Sequence, residues 1–111
     1  MSAMEQGGVA APDQLLTMVA PVALEDELID VLLGLPQRVC GFTVTRADGF
    51  GGGVRLPSAM EQVTGRARRV QLQVALAEAD VAPLLAELKL ALPTSEIAYW
   101  VTPLLAFGRF K

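Results

Sequence analysis

The chain of 111 residues contains no histidine, and that omission removes a large part of enzyme chemistry. Ser-His-Asp and Cys-His nucleophile arrangements cannot be built, and a zinc centre would need carboxylates and a single thiol. Only one cysteine is present, Cys40, so no internal disulfide can form. Inside an alternating apolar pattern such a thiol reads as a small core residue. A lone thiol also fits a reducing compartment, and the expected location is the cytoplasm.

Aromatic residues amount to 5% against 52% hydrophobic residues, so the core must be built from Leu, Val and Ala. Nine basic residues face twelve acidic ones, a net charge of -3. That balance gives no overall electrostatic footprint for nucleic acid, and an anionic ligand would need a local basic cluster. Long apolar runs are missing too: the stretch from Leu15 to Leu24 is too short to span a bilayer, and Met1 to Gln6 lacks the basic start of a secretory signal. These absences predict a soluble, non-enzymatic protein of one domain.

What is present is a regular sequence of elements. Residues 1–12, with small side chains and a Gly pair, predict a flexible arm ahead of a domain over 13–111. The pentapeptide SAMEQ occurs at 2–6 and again at 58–62, too short a match to mark a structural repeat. Leu15 to Ala20 is apolar on both alternating faces, the pattern of a central strand. Leu24, Leu28, Val31, Leu32 and Leu35 then fall at helical spacing, with Glu25, Asp26 and Glu27 in the first turn, where the helix dipole favours negative charge. Gly34 and Pro36 stop that helix. Residues 39–46 alternate Cys40, Phe42 and Val44 against Gly41, Thr43 and Thr45, a second strand.

The clearest period-two signal sets Val70, Leu72, Val74 and Leu76 against Gln71, Gln73 and Ala75, a half-buried third strand. Over 78–93 the spacing predicts a helix with Asp80 as N-cap, Pro83 in the first turn, and an apolar stripe of Val81, Leu84, Leu85, Leu88 and Leu92. Pro93 closes it, and 96–105 reads as a last strand. The order β-α-β-β-α-β predicts an α+β fold, the ferredoxin-like sandwich, with both helices on one face of a four-stranded antiparallel sheet and strands one and three in the middle. The other sheet face is left without cover by this chain. Tyr99 and Trp100 should point to opposite faces, and exposed apolar surface of that kind usually marks association.

Residues 47–66 form a loop too long for a hairpin turn. Gly49, Gly51, Gly52 and Gly53 allow a nest of N–H groups around an anion, although their spacing matches neither a P-loop nor a dinucleotide fingerprint. Ser58 and Glu61 make a capping-box pattern, with Gly65 able to end a short helix at Thr64. Phe50, Val54, Leu56, Met60 and Val63 offer apolar contacts to a partner. Arg66, Arg68 and Arg69, entering the third strand, are the one dense basic cluster. With Arg46 across the strand pair they suit phosphate or carboxylate, and Arg109 and Lys111 in the tail can join across a subunit boundary. The same arginines also fit an ordinary solvated strand start. The acidic group Glu25, Asp26, Glu27 and Asp30 reads as solvated helix surface.

The stretches VAPVALEDELIDVLL, CGFTV, EQVTGRARRVQLQV, ALAEADVAPLLAEL and IAYWVTPLL, within residues 14–105, resemble the PII-like superfamily of trimeric signalling proteins. More narrowly they resemble a bacterial PII-like branch often encoded beside heavy-metal efflux pumps. The resemblance implies a regulatory homotrimer whose sheets pack face to face around a three-fold axis. It makes loop 47–66 the counterpart of the T-loop, reaching a target such as a membrane transporter or efflux component. A nucleotide or other anion would sit in clefts between subunits at the loop base, near Arg46, Gly51, Gly52, Gly53, Arg66, Arg68, Arg69 and Arg109, and would gate the loop.

Two departures from the nitrogen-regulatory PII pattern stand out. The segment before the last strand reads LPTSEIAYW, without the Gly and Lys that hold ATP in those proteins, and the loop carries no tyrosine. The ligand is therefore open between another anion, another nucleotide and none. The CutA-like proteins share the fold and supply a second class of function, a metal-ion or small-molecule sensor or buffer, with Cys40, Met60 or the acidic helix face as ligands.

Overall fold

A computed structural model describes residues 11–39, 41–50, 67–93 and 96–110. Strand β1 (Gln14–Pro21) passes through a single 3-10 turn (Val22–Leu24) into helix α1 (Glu25–Leu33). Then come β2 (Phe42–Gly49), β3 (Ala67–Leu76), helix α2 (Glu78–Ala91) and β4 (Ala98–Pro103). The strands form one antiparallel sheet in the order β2-β3-β1-β4. The two strands with the most apolar patterns thus occupy the centre, as right-handed crossovers require.

Register fixes which side chains share a face. Leu16, Met18 and Ala20 of β1 lie opposite Val74, Leu72 and Val70 of β3. Phe42 and Val44 oppose Val74 and Leu72 from one side, while Tyr99 and Val101 oppose Met18 and Leu16 from the other. On this face Leu28 and Leu32 of α1 and Leu84 and Leu88 of α2 complete the core. Burying each such side chain contributes about 1.5–3 kcal/mol, so this one layer carries most of the stability.

The opposite face presents Leu15, Thr17 and Val19 of β1, Thr43 and Thr45 of β2, Gln71, Gln73 and Ala75 of β3, and Ala98, Trp100 and Thr102 of β4. Gln73 Nε2 donates to Thr17 Oγ1 at 3.4 Å, which ties the two central strands together on this side. No described element packs on this face as a second layer, and Trp100 keeps 47% of its surface exposed. Tyr99, on the helix side, lies under Lys89, whose Nζ is 5.6 Å from the ring centroid.

Three expectations from the sequence change. First, β2 starts at Phe42 rather than Val39 and runs to Gly49. Val39 N–H donates to Leu35 C=O at 2.9 Å, so the turn leaving α1 claims it. At the other end the ladder continues through Ala47↔Arg69, Asp48↔Arg68 and Gly49↔Ala67, which makes residues 47–49 strand rather than loop.

Second, Asp80 is not the N-cap of α2. The helix starts at Glu78, and Asp80 lies inside its first turn, where it accepts from Arg38 Nη1 at 3.1 Å. The cap comes from far along the chain: Asp13 Oδ1 accepts the Glu78 N–H at 2.9 Å, satisfying a donor that the helix itself cannot pair. Third, Pro83 consequently falls in the second turn, where it forgoes the bond to the Ala79 carbonyl. Residues 1–10 of the arm, Cys40 and the short helix expected at 58–64 lie outside the described residues. No described helix is long and apolar enough to cross a membrane.

Candidate functional site

The ends of β2 and β3 that lead into residues 51–66 carry Arg46, Asp48, Arg68 and Arg69. Antiparallel pairing sets Arg46 opposite Val70 and Asp48 opposite Arg68. Arg46 and Arg68 are therefore diagonal neighbours on the helix face, about 7–8 Å apart at the backbone, within reach of long side chains. Arg69 alternates to the other face with Ala47. Together Val22, Arg46, Ala47, Asp48, Arg68 and Arg69 line a cleft of about 260 Å³. Its lining therefore includes arginines from both faces of the sheet.

The three guanidiniums differ in setting. Arg69 is 5% exposed. A Cβ at Gly49 would stand 3.1 Å from Arg69 Cγ, so a larger residue there would press on the Arg69 side chain. Arg46 extends into solvent, with its side chain 69% exposed, and donates through Nη2 to Glu25 Oε1 at 3.0 Å. Arg68 is exposed. Asp48, Arg68 and Arg69 each make further interactions of their own. Guanidinium forks around a solvent-open space suit the oxygens of phosphate or carboxylate.

Of the residues singled out from sequence, Arg46, Arg68 and Arg69 are brought together here. Arg109 is held elsewhere. The tail beyond β4 crosses the end of the open sheet face, where Phe107 and Arg109 border a second cleft of about 350 Å³ with Leu15, Gly41, Phe42, Thr43, Gln73 and Ala75. Since Thr43 and Asp48 lie toward opposite ends of β2, the two clefts are separate within one chain. Phe50 is 67% exposed. Gly51, Gly52, Gly53, Val54, Leu56, Met60, Val63 and Arg66, like Lys111, lie outside the described residues.

Three contributors escaped the sequence reading: Val22, Glu25 and Asp48. Glu25 reads in sequence as one of several helix-surface acids, and only the fold shows it beside Arg46. Gly49 reads in sequence as part of a glycine nest, and only the fold sets it against the Arg69 side chain. Among the described residues no group of three His, Cys, Asp or Glu side chains could hold a metal ion.

A model of the DUF3240 family, proteins of unknown function, matches residues 10–111. No curated protein matches the chain in sequence. Among solved structures, a DUF3240 family protein from Shewanella baltica OS155 is similar at 23% identity with a TM-score of 0.74, over 91% of this chain and 99% of that one. CPII, a nitrogen regulatory PII-like protein from Thiomonas intermedia K12 solved with ADP, AMP and bicarbonate, is similar at 20% identity with a TM-score of 0.66, over 88% of this chain and 94% of its own. The same protein solved with ADP, AMP and acetate gives 19% identity and a TM-score of 0.65, over 89% and 91%. The fold is PII-like, as the resemblance implies.

Proposed function

This chain belongs to the DUF3240 family and has a PII-like fold, and from that premise we propose that it is a non-enzymatic signal-transduction protein whose arginine cleft takes a small anionic ligand. The observation that carries the reading is the convergence of Arg46, Arg68 and Arg69 on one cleft at the root of residues 51–66. A PII-like protein of the same fold holds ADP, AMP and bicarbonate or acetate. Nucleotide phosphates and small carboxylate-like anions are the chemistry that guanidinium forks recognise.

In this reading the protein is a cytoplasmic homotrimer assembled through the open sheet face. Residues 51–66, rooted in β2 and β3, reach a target such as a membrane transporter or efflux component, and the anion biases that contact. The half-exposed Trp100 supports association on that face, because an exposed aromatic beside other apolar groups is stabilised by cover. A CutA-like metal or small-molecule buffer draws no support from the comparisons.

The test is calorimetric titration of the purified protein with ADP, AMP and bicarbonate, run on wild type and on Arg68→Ala. A charge-assisted contact is worth about 1.5–3 kcal/mol, so Arg68→Ala should weaken binding roughly 10- to 100-fold. Binding of none of these anions by wild type, or equal affinity in the variant, would sink the assignment of the cleft.

A further inference from the structure

The arginine cleft carries its own competitor. Glu25 Oε1 accepts from Arg46 Nη2 at 3.0 Å, and the carboxylate is the better-held partner, its side chain 22% exposed against 69% for Arg46. Glu25 opens α1 only three residues after Val22, which lines the cleft wall. The carboxylate is thus anchored by helix and turn at the edge of the site, whereas Arg46 reaches it from β2 on a long solvent-exposed stem. With Asp48 in the lining, three guanidiniums face two carboxylates.

We infer that Glu25 is a built-in counter-ion that an incoming anion displaces from Arg46, so that it sets the affinity of the cleft and couples occupancy to the first turn of α1. This rests on the reading of the cleft as an anion site. While the cleft is empty, Glu25 holds Arg46 against α1. When a phosphate or carboxylate oxygen takes the guanidinium, the contact between β2 and α1 opens, and the end of β2 that leads into residues 51–66 loses one of its ties to the helix layer. The pair is solvent-exposed on its arginine side, so displacing it costs little, and the competitor is weak enough to be overcome.

The experiment is titration with ADP of wild type, Glu25→Gln, Asp26→Asn, Arg46→Ala and the double variant Arg46→Ala with Glu25→Gln. Glu25→Gln preserves side-chain shape and removes the competing charge, so ADP should bind about two- to fivefold tighter, the range an exposed ion pair supports. Asp26→Asn removes the same charge one residue further along the same turn and should change affinity much less. The gain from Glu25→Gln should vanish once Arg46 is alanine, since no contact is left to displace. Equal tightening by Glu25→Gln and Asp26→Asn would reduce Glu25 to bulk charge and overturn the inference, as would a gain that persists without Arg46. Wild type that binds ADP while Glu25→Gln leaves affinity unchanged overturns this inference alone. Failure of both proteins to bind overturns the anion site and the inference with it.

Discussion

Replacing Trp100 with alanine should weaken the proposed homotrimer, whereas replacing its neighbour Tyr99 should not. The two rings are almost equally exposed in the single chain, 47% and 45%, yet β4 sends them to opposite sides of the sheet. Tyr99 faces α2, beside Leu85, Leu88 and Leu92 and beneath Lys89. Trp100 stands on the open face, opposite Thr17. A tryptophan offers up to about 250 Å², so the exposed part is on the order of 100 Å². Covering it contributes roughly 2.5 kcal/mol per chain, most of which alanine forfeits.

Over three chains the loss is about 6 kcal/mol, or four decades in the association constant. Because the midpoint of a monomer–trimer equilibrium scales as the square root of that constant, the concentration needed for half assembly should rise roughly 100-fold. Sedimentation velocity over a dilution series reads this directly, with denaturant unfolding as the control for the fold of each variant. Tyr99→Ala should lower the unfolding midpoint and leave the assembly midpoint in place. A wild type that stays monomeric, or two variants that shift assembly equally, would refute the assignment of the open face.

Asp13→Ala should cost about 1 kcal/mol in denaturant unfolding, because the Glu78 N–H loses the acceptor that caps α2; no change would mean that solvent serves the helix end equally well. Deleting residues 51–63 should leave subunit count unaltered while removing capture of the proposed target, read by native mass spectrometry and by pull-down with an efflux component; retained capture would place the contact surface elsewhere on the fold.

Layer order was legible in the sequence because periodicity reports burial. Val70, Leu72, Val74 and Leu76 alternate with Gln71, Gln73 and Ala75, and the structure buries the first set completely while leaving the second half-covered. Helix starts were less legible, because a capping donor can be satisfied by any nearby acceptor. Asp80 sits where a local cap would be, but the acceptor that reaches the Glu78 N–H belongs to Asp13, in the segment just before β1. No local pattern encodes that contact. Strand ends fail for a related reason: Ala47, Asp48 and Gly49 have weak strand propensity and pair only because β3 extends alongside them. The arginine cleft was half legible, since Arg68 and Arg69 are adjacent in sequence, whereas the approach of Glu25 depends on where α1 begins relative to β2.

The same alternation that builds the core also links the cleft to the face proposed for assembly. Arg68 and Arg69 are consecutive on β3, so they project to opposite sides, Arg68 with Arg46 toward the helices and Arg69 with Ala47 toward the open face. An anion held by all three must sit beyond the strand ends, where both faces are accessible. Arg69 is already buried in the single chain, so its side chain is positioned before any ligand arrives. A neighbouring subunit on the open face would enclose the Arg69 side of the cleft and lower the effective dielectric around the guanidinium, strengthening its attraction for an anion. Ligand and assembly then favour each other by linkage, because an anion that binds the enclosed cleft more tightly than the open one stabilises the assembled state. The Glu25 contact acts on the other arm of the cleft, through Arg46 on the helix side. In the proposed assembly, one strand pair would therefore sense subunit packing through Arg69 and the position of α1 through Arg46.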